Sequence, residues 1–217
     1  MAVSKIPLVE GEIYHIYSKS IAEFEIFRNK AEYGRMKDLL GYYKIEHPPL
    51  KFSIFRKIKD REKQCAKQHA SINNLVDIIA YCLMPTHIHL ILKQLKKDGI
   101  SIFMSKALNS YTRYFNLSTK RKGPLWESRF NRGIVKSNEQ ILHLTRYIHL
   151  NPVTAHLVDN PRNWPHSSYR EYLSEVKNEE RSCNFSEVLD ITPQAYEEFV
   201  TSQIEYQRKL ATAKKTP

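Results

Sequence analysis

Hydrophobic and polar residues alternate from Glu12 to Ser18 (EIYHIYS), the period-two pattern of a strand with one face on a core. Between Phe27 and Tyr43 the apolar residues Met36, Leu39, Leu40 and Tyr43 recur at helical spacing, predicting a helix that His47, Pro48 and Pro49 break. Residues 57–70 (KIKDREKQCAKQHA) are polar and poorly patterned, and read as an inserted arm or a short exposed helix. Two apolar, β-rich runs follow, VDIIAYCLMP (76–85) and HIHLILKQ (87–94), separated only by the Pro85-Thr86 region and therefore expected to form an antiparallel pair. Asp98-Gly99 reads as a turn. From Ser101 to about Leu117 the positions Ile102, Phe103, Ala107, Leu108, Tyr111 and Phe115 make a helical stripe, leaving Lys106 and Arg113 on another side, and Lys122-Gly123-Pro124 ends it. Residues 129–135 can be a strand. Ser137 with Gln140 looks like a capping box opening a helix from about Asn138 to Asn151, where Pro152 should end or kink it. Near the C-terminus, Thr192-Pro193 predicts the start of an amphipathic helix carrying Tyr196, Phe199, Val200 and Ile204.

This order of elements suits an α+β chain with a single antiparallel sheet and helices packed mainly on one face, and not a doubly wound parallel sheet. A length of 217 residues, 41% of them hydrophobic, supports one full core or one core with an appended subdomain. With 6 Gly and 10 Pro the chain is no low-complexity polymer. No run approaches the ~20 apolar residues of a membrane span, and the N-terminus lacks a secretory pattern, so no membrane association is expected. Cys65, Cys82 and Cys183 are widely spaced without C-x-x-C, which argues against a disulfide framework or a thiolate zinc site and for a reducing cytoplasmic compartment.

Charge changes the picture. The chain carries 34 Lys+Arg against 23 Asp+Glu, a net +11, and much of the excess falls in one stretch. Lys106, Arg113, Lys120, Arg121, Lys122, Arg129, Arg132 and Lys136 face a single acid, Glu127, and are interleaved with Tyr111, Tyr114, Phe115, Trp126 and Phe130. That mixture lets cations meet phosphates while aromatic faces meet unstacked bases; it equally describes a solvated helix face over core aromatics. Residues 171–205 are as strongly acidic, so this segment could lie against the basic stretch and compete with nucleic-acid phosphates; the plainer reading, that the helix after Pro193 packs Tyr196, Phe199 and Ile204 onto the domain for stability, is favoured over it.

Two constellations could carry chemistry. In His87-Ile88-His89, at the start of a strand, both imidazoles face one side, as a pair of metal ligands or as two polar rings to be satisfied by packing. On the helix from Asn138, the residues His143, Tyr147 and Asn151 share one stripe. Tyr147 offers a phenol and Asn151 an amide oxygen that a hard cation could use; the plain alternatives are a core tyrosine and a helix-terminating asparagine.

Taken with GISIFMSKALNSYTRYFN, GPLWESRF, LTRYIHLNPVTAHLV and HSSYREYL, the stretch AYCLMPTHIHLILKQ closely resembles the IS200-like transposases, the single-tyrosine HUH family that includes the REP-associated tyrosine transposases. The resemblance runs from about Glu12 to Leu173. It implies a ferredoxin-like α/β sandwich as residues 1–175; the polar insertion near 57–70 and residues 176–217, which read as a C-terminal helical extension, acidic then basic, lie outside the resemblance. It implies His87, His89 and Asn151 as ligands of Mg2+ or Mn2+, and Tyr147 as the nucleophile that cuts single-stranded or hairpin DNA through a 5′-phosphotyrosine. Lys106, Arg113, Lys120, Arg121, Lys122, Trp126, Arg129, Arg132 and Lys136 are the expected DNA contacts. No nucleotide cofactor is expected, since the chain has no phosphate-binding G-x-x-x-x-G-K-[ST] loop. Relatives include a homodimer and monomers, and the sequence leaves both open. It departs from the family at Thr86, where Asn is frequent, and at Ser18-Lys19-Ser20, where Asn-Arg-Gly is frequent. A replication initiator with the same chemistry and a non-cleaving hairpin binder are the alternatives.

Overall fold

The computed structural model describes residues 6–48, 50–58 and 73–213. Four strands, β1 (Ile13–Lys19), β2 (Val76–Met84), β3 (His87–Gln94) and β4 (Asn131–Val135), form one antiparallel sheet in the order β2-β3-β1-β4. Helix α1 (Lys30–Tyr43) and the short α2 (Phe52–Phe55) lie between β1 and β2, and α3 (Gly99–Thr119) lies between β3 and β4. This is the expected ferredoxin-like βαββαβ order. Helix α4 (Asn138–Thr154) follows, then α5 (Tyr169–Tyr172), α6 (Pro193–Thr201) and α7 (Ile204–Ala213). No helix among the described residues is long and apolar enough to cross a membrane.

Helices on one face describes the βαββαβ unit alone. Tyr14, Ile16, Leu83, Ile88, Leu90 and Leu92 pack with α1 and α3, whereas Ile79, Cys82, Ile91 and Val135 pack on the opposite face with α4 and α6. The central hairpin is therefore covered on both sides, which is why its two strands read as continuous apolar runs where β1 alternates.

Local chemistry moves several boundaries. Helix α1 starts at Lys30, three residues later than the pattern suggested, because Asn29 caps it by accepting from the Glu32 N–H at 3.1 Å. In Asp98-Gly99 it is Asp98 that takes the left-handed conformation (φ 58°). Gly99 is the first residue of α3, and a Cβ there would meet the Leu75 carbonyl oxygen at 2.3 Å, so close backbone approach requires the glycine. Strand β4 begins at Asn131. The Ser137 cap holds: its side chain accepts from the Gln140 N–H at 3.1 Å, while Gln140 accepts from the Lys136 N–H at 2.8 Å. Helix α4 does not end at Asn151; Pro152 sits inside its last turn, buried. The missing N–H costs one bond close to the helix end, and the Ala155 N–H satisfies the Asn151 carbonyl at 2.9 Å. Asn151 thus stays helical, one turn beyond Tyr147. The inserted arm of 57–70 falls almost wholly outside the described residues.

The C-terminal helices are tied to α4 by His149, which is fully buried. Its Nδ1 lies 2.6 Å from the Tyr196 hydroxyl and its Nε2 2.8 Å from that of Ser168. Burial pushes its pKa down to about 3 from the ordinary 6.5. Below pH 6.5 the unfolded chain takes up a proton that the folded protein refuses, so stability is lost as pH falls from about 6.5 toward 3. The loss is up to about 1.4 kcal/mol per pH unit from this group. Urea unfolding at pH 7.5 and pH 5 should give a clearly lower midpoint at pH 5, with the difference smaller in His149→Gln; equal midpoints in the unmodified protein would contradict a neutral buried imidazole.

The acidic segment finds local cations. Glu175 and Glu197 pair with Arg162 at 2.9 and 3.1 Å, Glu175 also meets Arg170 at 3.1 Å, and Glu187 meets Lys93 at 3.7 Å. With Tyr196 and Val200 buried against α4, this segment packs on the face opposite α3, the packing arrangement that the sequence favours over an approach to the basic stretch.

Candidate active site

His87 and His89 leave the start of β3 on the face that α4 covers, since Ile88, Leu90 and Leu92 fill the other core. Alternation turns Ile13, His15 and Tyr17 of β1 the same way, and the antiparallel register places Tyr17 opposite His89 and Lys19 opposite His87. Ring centroids of His87 and His89 lie 5.1 Å apart; Tyr147, from α4, and Tyr17 each lie 5.9 Å from His89. One turn after Tyr147, Asn151 joins His87, Thr86, Lys19 and Glu23 in lining a cleft of about 430 Å³. Four residues expected to act together, contributed by β3 and α4, therefore converge at one end of the sheet. His143 does not join them: its ring is directed to Arg146, 2.9 Å away, and to Phe199.

Burial sets the protonation states. It pushes the His87 and His15 pKa values down to about 4, Lys19 adding to the effect at His87, and holds His89 well below its ordinary value with help from His87, His15 and Lys19. All three are neutral imidazoles at pH 7, each with a lone pair to give. Burial and then Tyr17 raise the Tyr147 phenol above its ordinary value, so it is protonated at neutral pH although 44% of the residue is exposed.

The residues present fit a hard divalent cation. The Asn151 amide nitrogen is buried without a partner, and a half-turn of the amide brings its oxygen to that place. With two imidazole nitrogens this makes a mixed N and O donor set. Among the described residues no three His, Cys, Asp or Glu cluster in a way that could hold a metal.

The basic residues are distributed around α3 and the β4 edge. Lys106, Arg129 and Arg132 line a groove of about 810 Å³ with Trp126 and Phe130; Lys106 and Arg113 line another of about 920 Å³ with Arg35 and Tyr114. Lys120, Lys122 and Lys136 are exposed. Arg121 meets Asn116 and the Gly123 carbonyl, and lies over Phe24. The Trp126 indole N–H donates to Thr112 at 3.1 Å, so its ring is seated on α3 and only part of it faces outward. The loop bearing these residues returns to the end of the sheet that holds His87 and His89: the Glu127 N–H donates to the Lys19 carbonyl at 3.0 Å, and Ser20 bridges to Trp126.

The sequence alone gives no role to His15, Tyr17, Lys19 or Glu23. The H-x-Y of EIYHIYS has the same parity as H-x-H, which was a signal, but only the β1-β3 register shows that the two faces coincide.

An antiparallel α+β sandwich with a histidine pair beneath an exposed helical tyrosine is the class that fold and site define. The family described as "Transposase IS200 like" matches residues 49–151, a span holding His87, His89, Tyr147 and Asn151 but not β1. A putative REP-associated tyrosine transposase of Haemophilus influenzae is 25% identical over 119 residues, covering 50% of this chain and 68% of that protein. In fold the chain is similar to a REP-associated tyrosine transposase solved bound to a REP hairpin, with a TM-score of 0.55 and 14% identity over 89% of this chain and 96% of that one. Family, relative and fold agree with the motifs: the resemblance of this chain is to the IS200-like transposases.

Proposed function

We propose that this protein is a metal-dependent single-strand DNA nickase and strand transferase that cuts and rejoins hairpin or repeat DNA through a 5′-phosphotyrosine at Tyr147, in DNA transposition or recombination. The observation that carries the reading is the convergence of two elements at one end of the sheet: His89 packs between the rings of His87 and Tyr147, and His87 shares a cleft with Asn151. Similarity to a transposase family supports it.

His87, His89 and Asn151 would hold magnesium or manganese, which supplies Lewis-acid polarisation of the scissile phosphate when bound. The Tyr147 oxygen forms a bond to phosphorus as the bond from phosphorus to the 3′ oxygen breaks, and the proton lost by the phenol ends on that oxygen as a 3′-hydroxyl. Its raised pKa means that proton loss accompanies attack. A second 3′-hydroxyl reverses the step and joins strands without ATP, because the phosphotyrosine conserves the phosphodiester energy. Incubation with single-stranded DNA from the gene's own flanks and Mn2+, followed by a denaturing gel, should give a cleaved strand and a protein-linked one; neither product would contradict the proposal.

The grooves and loop around α3 would track the DNA backbone. Binding should weaken steeply with salt, and neutralising Lys120, Arg121 and Lys122 together should flatten the log-log salt slope by up to about 2 units if all three touch phosphates of a single strand. Fluorescence anisotropy across a salt series measures this, and an unchanged slope would place the DNA elsewhere.

A further inference from the structure

We infer that His15 is a positioning residue for the metal site: it holds the Nδ1 proton of His89, so that the lone pair of His89 is on Nε2. The inference rests on the proposed metal role of His87 and His89 and extends it to a residue outside the span matched by the family.

The geometry is specific. His15 Nε2 lies 3.0 Å from His89 Nδ1, the two rings being within 15° of parallel. His15 sits two residues before the register partner of His89, the diagonal neighbour on the same sheet face. Between two neutral imidazoles such a contact has one donor and one acceptor. If His89 Nδ1–H donates, Nε2 is a ligand; if it accepts, Nε2 carries the hydrogen and cannot bind a cation. A metal at Nε2 therefore selects the arrangement in which His15 accepts, and His15 in turn holds the ring in that orientation. The neighbouring ligand is treated alike, with Thr86 Oγ1 placed 2.9 Å from His87 Nδ1. His149 shows the contrast: both of its nitrogens are taken, by Tyr196 and Ser168, and it has none to give.

Mn2+ alone is the probe, its affinity measured by electron paramagnetic resonance on the full chain at pH 7.5, with thermal melting beside it. His15→Phe keeps a ring without an acceptor, and should bind Mn2+ about 10–100-fold more weakly than the unmodified protein. His15→Gln restores an acceptor and should recover most of the affinity at a melting temperature close to that of the Phe variant. His89→Ala is the reference for loss of a ligand. If His89→Ala weakens binding while His15→Phe does not, or if Gln binds no better than Phe, the positioning role is overturned. His15→Phe as damaging as His89→Ala would make His15 a ligand instead. No Mn2+ binding by the unmodified protein, or binding indifferent to His89→Ala, would reject the metal reading itself and His15's part with it.

Discussion

Tyr147→Phe should abolish DNA cleavage and covalent attachment, lowering the rate by about four to six orders of magnitude, while folding and DNA affinity change little. The substitution removes one oxygen from a residue that is 44% exposed, so the cost falls on chemistry. Tyr17→Phe is the necessary comparison. Its ring lies as far from His89 as that of Tyr147 does, 5.9 Å, and distance alone does not choose between them. What chooses is placement: Tyr17 stands on a sheet strand opposite His89, whereas Tyr147 stands on α4 one turn before Asn151, on the open side of the cluster. Tyr17→Phe should leave cleavage within about tenfold of the unmodified protein. Single-turnover assays on a labelled strand measure both, and full activity in Tyr147→Phe would remove the proposed nucleophile.

His89→Ala should remove metal-dependent cleavage by at least about a hundredfold, more than the loss of a residue that only orients a ligand, and EDTA should do the same to the unmodified protein. His89 is 7% exposed, so truncation also opens space beneath Tyr147; a melting curve separates the two effects. His87→Ala, at the cleft beside Asn151, should lose activity similarly with less change in stability. Undiminished cleavage in EDTA would leave the histidines with a packing role.

The sheet and its helices were legible because their periods are clean: the alternation of EIYHIYS, the two apolar runs around Pro85-Thr86, and the stripe of Ile102 to Phe115 each became the expected element. What stayed hidden depended on contacts between distant segments. The second covered face follows from α4 and Tyr196 docking on Ile79 and Ile91, which no local period encodes. Pro152 is tolerated because the helix has little left to lose there, and that tolerance keeps Asn151 in line with Tyr147. At the site, H-x-H and the Tyr147 to Asn151 spacing were local and readable. His15 and Lys19 were not, because their roles depend on the register of β1 against β3, a pairing across more than seventy residues of chain.

The most direct test is to trap the protein-DNA adduct formed with Mn2+ and a single-stranded flank, digest both components, and sequence the nucleotide-bearing peptide by tandem mass spectrometry. The account predicts a phosphate ester on Tyr147, with the remaining nucleotide joined through its 5′ side. An adduct on Tyr17 or another residue, or cleaved DNA with no protein attached at any time point, would contradict it.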